Sequence, residues 1–243
     1  YLEADGFKVQ GADGKRGKAG EDWREARCGA CFTTAARGPD AQGRPPRPEA
    51  FSCRALWGDC EAFDRWFYPE AQRRGVNVAR EVVLLCDGAP WLRTHLRGYV
   101  PPGPKVVEIL DWYHATENLA KAVRARLGGD KAAFDAALAR LREHLWEGRA
   151  SAVVRELAQW LRTAGPGREE IRQVVGYLWS NRSRMRYPRL RAAGYHIGSG
   201  QIESLCKQLG QRVKGADRLW CREGLAAVLT LRCQIITEQH HRL

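Results

Sequence analysis

The 243 residues carry 44% hydrophobic side chains and nine Trp, enough for the core of one large domain or two small ones, which excludes a disordered chain. Forty Lys and Arg against 28 Asp and Glu leave a formal charge of +12 and an isoelectric point near 9.6, which favours a polyanionic partner over a merely solvated basic surface. No stretch approaches the roughly 18 apolar residues of a membrane span, the N-terminus lacks a signal-peptide pattern, and eight Cys do not make a disulfide scaffold in a chain this long. The protein is therefore expected in the cytoplasm, with no membrane partner. The only Met is Met185, and the chain opens at Tyr1 inside a strand pattern, which reads as a piece of something longer.

Three strands come first: YLEADGFKVQ, WREARCGACFTT and, after the Gly/Pro/Arg-rich turn ARGPDAQGRPPRPEA, FSCRAL. Cys28 and Cys31 in CGAC have no second CxxC to complete a zinc site, and Cys53 with Cys60 have the wrong spacing, so the pair reads as strand packing. Helical spacing of Phe63, Trp66 and Phe67 predicts a helix over 59–74, followed by a strand over 81–86. PWLRTHLRG is a short helix, and PKVVEIL is the next strand, apolar enough for a parallel, buried position. This half is α/β with a mixed sheet.

After His114 only helices are expected, about four of them, punctuated by Gly128-Gly129, Gly148 and AGPG. Phe134, Leu138, Leu141 and Leu145 repeat at helical spacing, as do Leu157, Trp160 and Leu161 and then Ile171, Val174 and Leu178. The final segment opens at HIGSGQIESLCKQLGQRVKG and closes with the amphipathic REGLAAVLTLRCQIITE. The organisation is thus a core over 1–114, an all-helical insertion over 115–195, and C-terminal helices over 196–243 that complete the core.

Four carboxylates stand where chemistry is presented: Asp5 within the first strand, Asp87 and Asp111 at strand ends, and Glu203 at the start of a late helix. Two carboxylates about 4 Å apart repel by about 4 kcal/mol at an effective dielectric near 20, so a cluster demands compensation. Oxygen-only ligands favour magnesium or manganese, and a pair of such ions serves phosphoryl transfer. In a basic protein this combination points to nucleic-acid cleavage.

IGSGQIES echoes a glycine-rich nucleotide loop, but Glu203 stands where the third glycine belongs and a basic segment precedes it instead of a strand. Ser199 reads instead as an N-cap, with Glu203 in the first helical turns. At about 100° per residue, Lys207 lies about 40° from Glu203 and Lys214 about 20°, so the three share a helix face. The preceding NRSRMRYPRLR packs five Arg into a short run able to track a phosphate backbone, the alternative being a solvated charged face.

The strings ADG, WREAR, CDGAPW, ILDWYHATENL, IGSGQIESLCKQLGQRVKG and REGLAAVLTLRC, specific in combination, resemble the catalytic part of DDE transposases of the ISKra-four insertion-sequence family, relatives of the Mutator-like group. The resemblance spans nearly the whole chain. It implies a ribonuclease-H-like fold interrupted by an all-helical insertion before the last acid, with Asp5, Asp87 and Glu203 as a catalytic triad binding two Mg2+ ions, for which Mn2+ can substitute. DWYH looks like the group's signature of Cys or Asp, two residues, then His, which makes Asp111 and His114 a supporting pair, with Trp112 and Tyr113 packing. The implied activity is cleavage and strand transfer of an insertion sequence in DNA, near the nucleoid, by a dimer or larger synaptic complex. Arg182, Arg184, Arg186, Lys207, Arg212 and Lys214 are the candidate DNA contacts. Two other classes stay open: a truncated, inactive DNA-binding relic, and a ribonuclease-H-like nuclease without strand transfer.

Overall fold

The structure, a computed structural model, describes residues 1–11, 23–34, 39–163, 165–215 and 219–241; residues 35–38 of the Gly/Pro/Arg-rich turn lie outside them. The chain divides into two compact units. One comprises 1–35, 47–107 and 199–243, the other 36–46 and 108–198.

The first unit holds β1 (Leu2–Gln10), β2 (Trp23–Thr34), β3 (Pro48–Trp57), β4 (Glu81–Cys86) and the first half of β5 (Lys105–Leu110) of a five-stranded mixed sheet in the order β3-β2-β1-β4-β5. β1 runs antiparallel to β2 and parallel to β4. The two-residue period of a strand sends alternate side chains to opposite faces, and the core divides accordingly. Phe7 and Val9, Cys28, Ala30 and Phe32, and Phe51, Cys53, Ala55 and Trp57 pack against Ile202, Leu205, Leu209 and Val213 of α8 (Gly200–Val213) and Leu225, Leu229, Cys233 and Ile236 of α9 (Arg222–His241). Leu2 and Ala4, Cys31 and Val82, Leu84 and Cys86 bury against Phe63, Phe67 and Ala71 of α1 (Cys60–Arg73) and Leu96 of α2 (Pro90–Gly98). Cys28 and Cys31, three residues apart in one strand, therefore point to opposite faces and cannot share a metal ion.

Local chemistry sets the ends of α1. Asp59 caps it by accepting from the Ala62 N–H at 2.7 Å. Glu70, buried on its sheet-facing side, is bound by Arg73 and, at 3.1 Å, by Arg54 of β3, which ties the helix to the sheet.

The second unit is helical: α3 (Trp112–Leu127), α4 (Lys131–Trp146), α5 (Ala150–Trp160), α6 (Arg168–Asn181), a 3-10 turn (Arg182–Arg184) and α7 (Tyr187–Ala192). The predicted repeats do form its core, with Leu141, Leu145, Leu157, Ile171, Val174 and Leu178 all buried. Arg140 of α4 and Glu156 of α5 join two helices through a forked pair of bonds, at 2.8 and 2.5 Å. Asp111 follows β5 directly, at a strand end as expected, and helix α3 starts at once, at Trp112, a little before the 115 at which the helical insertion is expected to begin. Among the described residues no helix is long and apolar enough to cross a membrane.

Candidate active site

Asp5 lies on the middle strand, and its partner across the antiparallel ladder is Cys28. On the other side, β1 pairs with β4 at Leu2 with Leu84 and Glu3 with Leu85. Asp5 stands two residues further along β1 and Asp87 one residue past the end of β4, so the parallel register, continued, would bring the two acids level and on the same face of the sheet. That face is the one on which α8 docks.

Helix α8 is registered on β1 by two contacts. The Glu3 carboxyl, fully buried, accepts from the Ile202 N–H at 3.0 Å in the first turn of α8. One turn later the Cys206 thiol donates to Asp5 Oδ2 at 3.7 Å. Glu3 to Asp5 spans about 6.7 Å of strand, and Ile202 to Cys206 about 6 Å of helix, so the two periodicities stay in step along the contact. Glu203 sits three residues before Cys206, on the same side of the helix.

Each of the three acids uses one oxygen on a local donor, which orients it. Asp5 Oδ1 accepts from the Gly6 N–H at 2.7 Å, Asp87 Oδ1 from the Ala89 N–H at 2.7 Å, and Glu203 Oε1 from the Ser199 hydroxyl at 2.9 Å. The Asp87 contact is an Asx turn that requires Gly88, whose φ of +90° lies in the region side chains disfavour. Gly6 has a different reason: a Cβ there would meet the Glu25 side chain of the neighbouring strand at 2.6 Å. Ser199 is the residue before α8 as expected, but its hydroxyl makes no cap bond to the helix backbone. Glu3 supplies a first-turn acceptor from a distant strand instead.

The ligand oxygens of Asp5, Asp87 and Glu203 do not all fall within 4.8 Å of one another. A single-ion cage would need that. Asp5, Asp87 and Glu203 would have to share more than one divalent ion, which would supply neutralisation of phosphate charge.

Asp111 and His114 come together within the second unit. Asp111, fully buried, caps α3 by accepting from the His114 N–H at 2.8 Å, and the same oxygen lies 2.7 Å from His114 Nδ1. Trp112 packs edge-on against Trp146 and Tyr187, as expected for a packing residue. Tyr113 is more than half exposed, its ring lying where a Cβ on Gly198 would be, at 2.7 Å.

The basic residues divide. Arg182, Arg186, Lys207, Arg212 and Lys214 are exposed, and Arg182 stacks 3.9 Å over the Trp179 ring. Arg184, 7% exposed, turns inward to Glu108 at 3.8 Å, so the arginine run does not present one continuous cationic edge. Lys214 lies just past the end of α8 in extended backbone, its ammonium 5.6 Å from the Phe7 ring, so it does not extend the helix face of Glu203 and Lys207.

Glu3 and Cys206 escaped the sequence reading. Glu3 had a usable signal, an acid two residues from Asp5 in the same strand and therefore on its face. Nothing in the sequence pairs Cys28 with Cys206. No protein-family model, curated protein or solved structure matches the chain.

Proposed function

We propose that this chain is the catalytic portion of a DDE transposase with a ribonuclease-H-like fold, acting on DNA by metal-dependent phosphoryl transfer. The observation that carries the reading is the meeting of Asp5, Asp87 and the Glu203-bearing helix on one face of a mixed sheet of order 3-2-1-4-5. Acceptor-only carboxylates, each held by a neighbouring donor, are the donor set that hard divalent cations take. Asp5, Asp87 and Glu203 would hold two Mg2+ ions, or Mn2+ in their place, which supply neutralisation of the phosphate and activation of the attacking oxygen.

The chain's own residues then have distinct tasks. Gly6 and Ala89 N–H groups fix the two aspartates, and Glu3 sets the height of α8 and with it Glu203. Arg182, Arg186, Lys207, Arg212 and Lys214 neutralise backbone phosphates without reading sequence. Arg184, buried against Glu108, is left out of that set. Asp111 and His114 hold the start of α3 in the second unit. The reaction is hydrolysis at a transposon end to release a 3′-hydroxyl, followed by attack of that hydroxyl on target DNA, with two ends held by a dimer or larger assembly.

The test is incubation with Mg2+ and a labelled duplex pre-nicked to expose a 3′-hydroxyl, beside Asp87→Asn. Joined products from the parent and none from the variant, with DNA affinity retained or raised, are expected. Loss of binding in Asp87→Asn contradicts the role given to that residue. Hydrolysis without joining favours a ribonuclease-H-like nuclease, and salt-sensitive binding without any metal-dependent product favours a DNA-binding relic.

A further inference from the structure

Cys28 of β2 and Cys206 of α8 are 178 positions apart, yet their Sγ atoms approach to 2.8 Å, inside the ordinary contact distance of two unbonded sulfurs. Both touch the same residue: the Cys28 thiol lies 3.6 Å from the Asp5 carbonyl oxygen, and the Cys206 thiol 3.7 Å from Asp5 Oδ2. Cys28 belongs to the apolar core facing α8 and Cys206 packs against it, but packing alone asks for no sulfur at either position, and a thiol is only a weak hydrogen-bond donor.

We propose that Cys28 and Cys206 form a reversible oxidation site, a dithiol that a hydroperoxide closes to a disulfide beside Asp5. Exposure sets the order of events. Cys28 is fully buried, whereas Cys206 is partly open to solvent and takes the oxidant first. The Cys206 sulfur attacks the peroxide O–O bond, gaining an S–O bond and releasing an alcohol, or water from hydrogen peroxide. The Cys28 sulfur then attacks the Cys206 sulfur, and the S–O bond breaks as hydroxide leaves and takes up the Cys28 proton. The sum is two thiols and one hydroperoxide giving one disulfide, one alcohol and one water, with the two sulfurs oxidised by two electrons and the peroxide reduced by two.

Another thiol neighbourhood links the sheet to a C-terminal helix at Cys53 and Cys233, but there both residues are buried and neither offers the oxidant an entry. The bond at Cys206 would fasten α8 to β2 and withdraw the S–H that now faces Asp5 Oδ2, so the oxidation state would be felt at that carboxylate.

The test is a cysteine map of the whole chain after dilute hydrogen peroxide in native buffer, alkylation, digestion without reductant and mass spectrometry. A Cys28–Cys206 cross-linked peptide is expected, two hydrogens lighter than its parts and abolished by dithiothreitol. It should persist in Cys221→Ser, which removes an exposed thiol, and vanish in Cys206→Ser. Recovery of both residues as free thiols, Cys206 as a sulfinic acid beside free Cys28, or cross-links scattered over the other cysteines would overturn the proposal. Should Cys206→Ser fold poorly, the dithiothreitol-reversible link in the parent decides alone, its presence supporting the site and its absence refuting it. The map requires no activity, so it stands or falls apart from the transposase reading.

Discussion

Glu3 gives the most direct handle on how the site is assembled. Its buried carboxyl accepts the Ile202 N–H at 3.0 Å, one of the first-turn donors of α8 that the helix itself cannot satisfy. Two substitutions separate the acceptor from the volume. Glu3→Gln keeps a carbonyl oxygen at the same reach, whereas Glu3→Met fills similar space and offers none. Both remove the carboxylate, so its desolvation cost cancels when they are compared with each other. An N–H left buried without a partner costs about 1–3 kcal/mol, so the Met variant should fall below the Gln variant by about 2 kcal/mol. In a chain of this size that is about 4–8 °C in Tm. The local readout is sharper: amide exchange in the first turn of α8 should be about 30-fold faster in Glu3→Met than in Glu3→Gln, taking tenfold per 1.4 kcal/mol. Equal exchange and equal Tm in the two variants would show that α8 is held at its depth by apolar packing alone, and the role given to Glu3 would fail.

Acid stability should report on Glu70. Burial by itself raises that carboxyl, but the bonds from Arg73 and the charges of Arg54 and Arg73 outweigh it and leave it below the ordinary carboxylate range. A depressed folded-state pKa stabilises above the unfolded value, and that share is lost as pH falls through the folded one, so Glu70→Gln should flatten the loss of urea resistance below about pH 4.3; an unchanged acid limb would count against the pair. Gly29→Ala would set a Cβ 2.6 Å from the fully buried Phe67 ring, so it should cost about 1–3 kcal/mol in a denaturant titration, and adding Phe67→Leu should recover part of that loss if the clash is the cause. Asp111→Ala removes the cap of α3 and should lower stability by about 1–2 kcal/mol, with faster exchange confined to the first turn of that helix; Asp111→Asn should be milder by the same two measurements.

Much of this arrangement was legible before any coordinates. The unbroken apolar run Val82 to Cys86 located the strand that leads to Asp87, because a strand buried on both faces has no polar side to alternate with, and the strand pattern of the opening residues located the one carrying Asp5. Helical spacing located α8 and the repeats of the second unit. The parts that stayed hidden depend on register and orientation, which composition does not encode. That Glu3 meets Ile202 follows from which turn of α8 docks on which residue of β1. Arg184 was read with its neighbours as a phosphate binder, yet a 3-10 turn aims alternate members of the run in different directions, and this one meets Glu108. Asp111 carried a signal that could have been weighed more heavily, since an acid directly before an apolar-periodic run is a common N-cap.

The union of Glu3 with Ile202 spans 199 positions, and this separation bears on how the protein emerges during synthesis. Strands β1 to β3 leave the ribosome early with Phe7, Phe32, Phe51 and Trp57 on one face, and that face waits for α8 and α9 to be translated. From Trp57 to Leu225, at about 5–20 residues per second, the delay is about 10–30 s. During that interval a nascent sheet shows apolar surface to the cell, while the local contacts of the second unit are free to form first. Chaperone dependence and early aggregation of chains stopped before residue 200 are the natural consequence of placing the last acid on the element that closes the core.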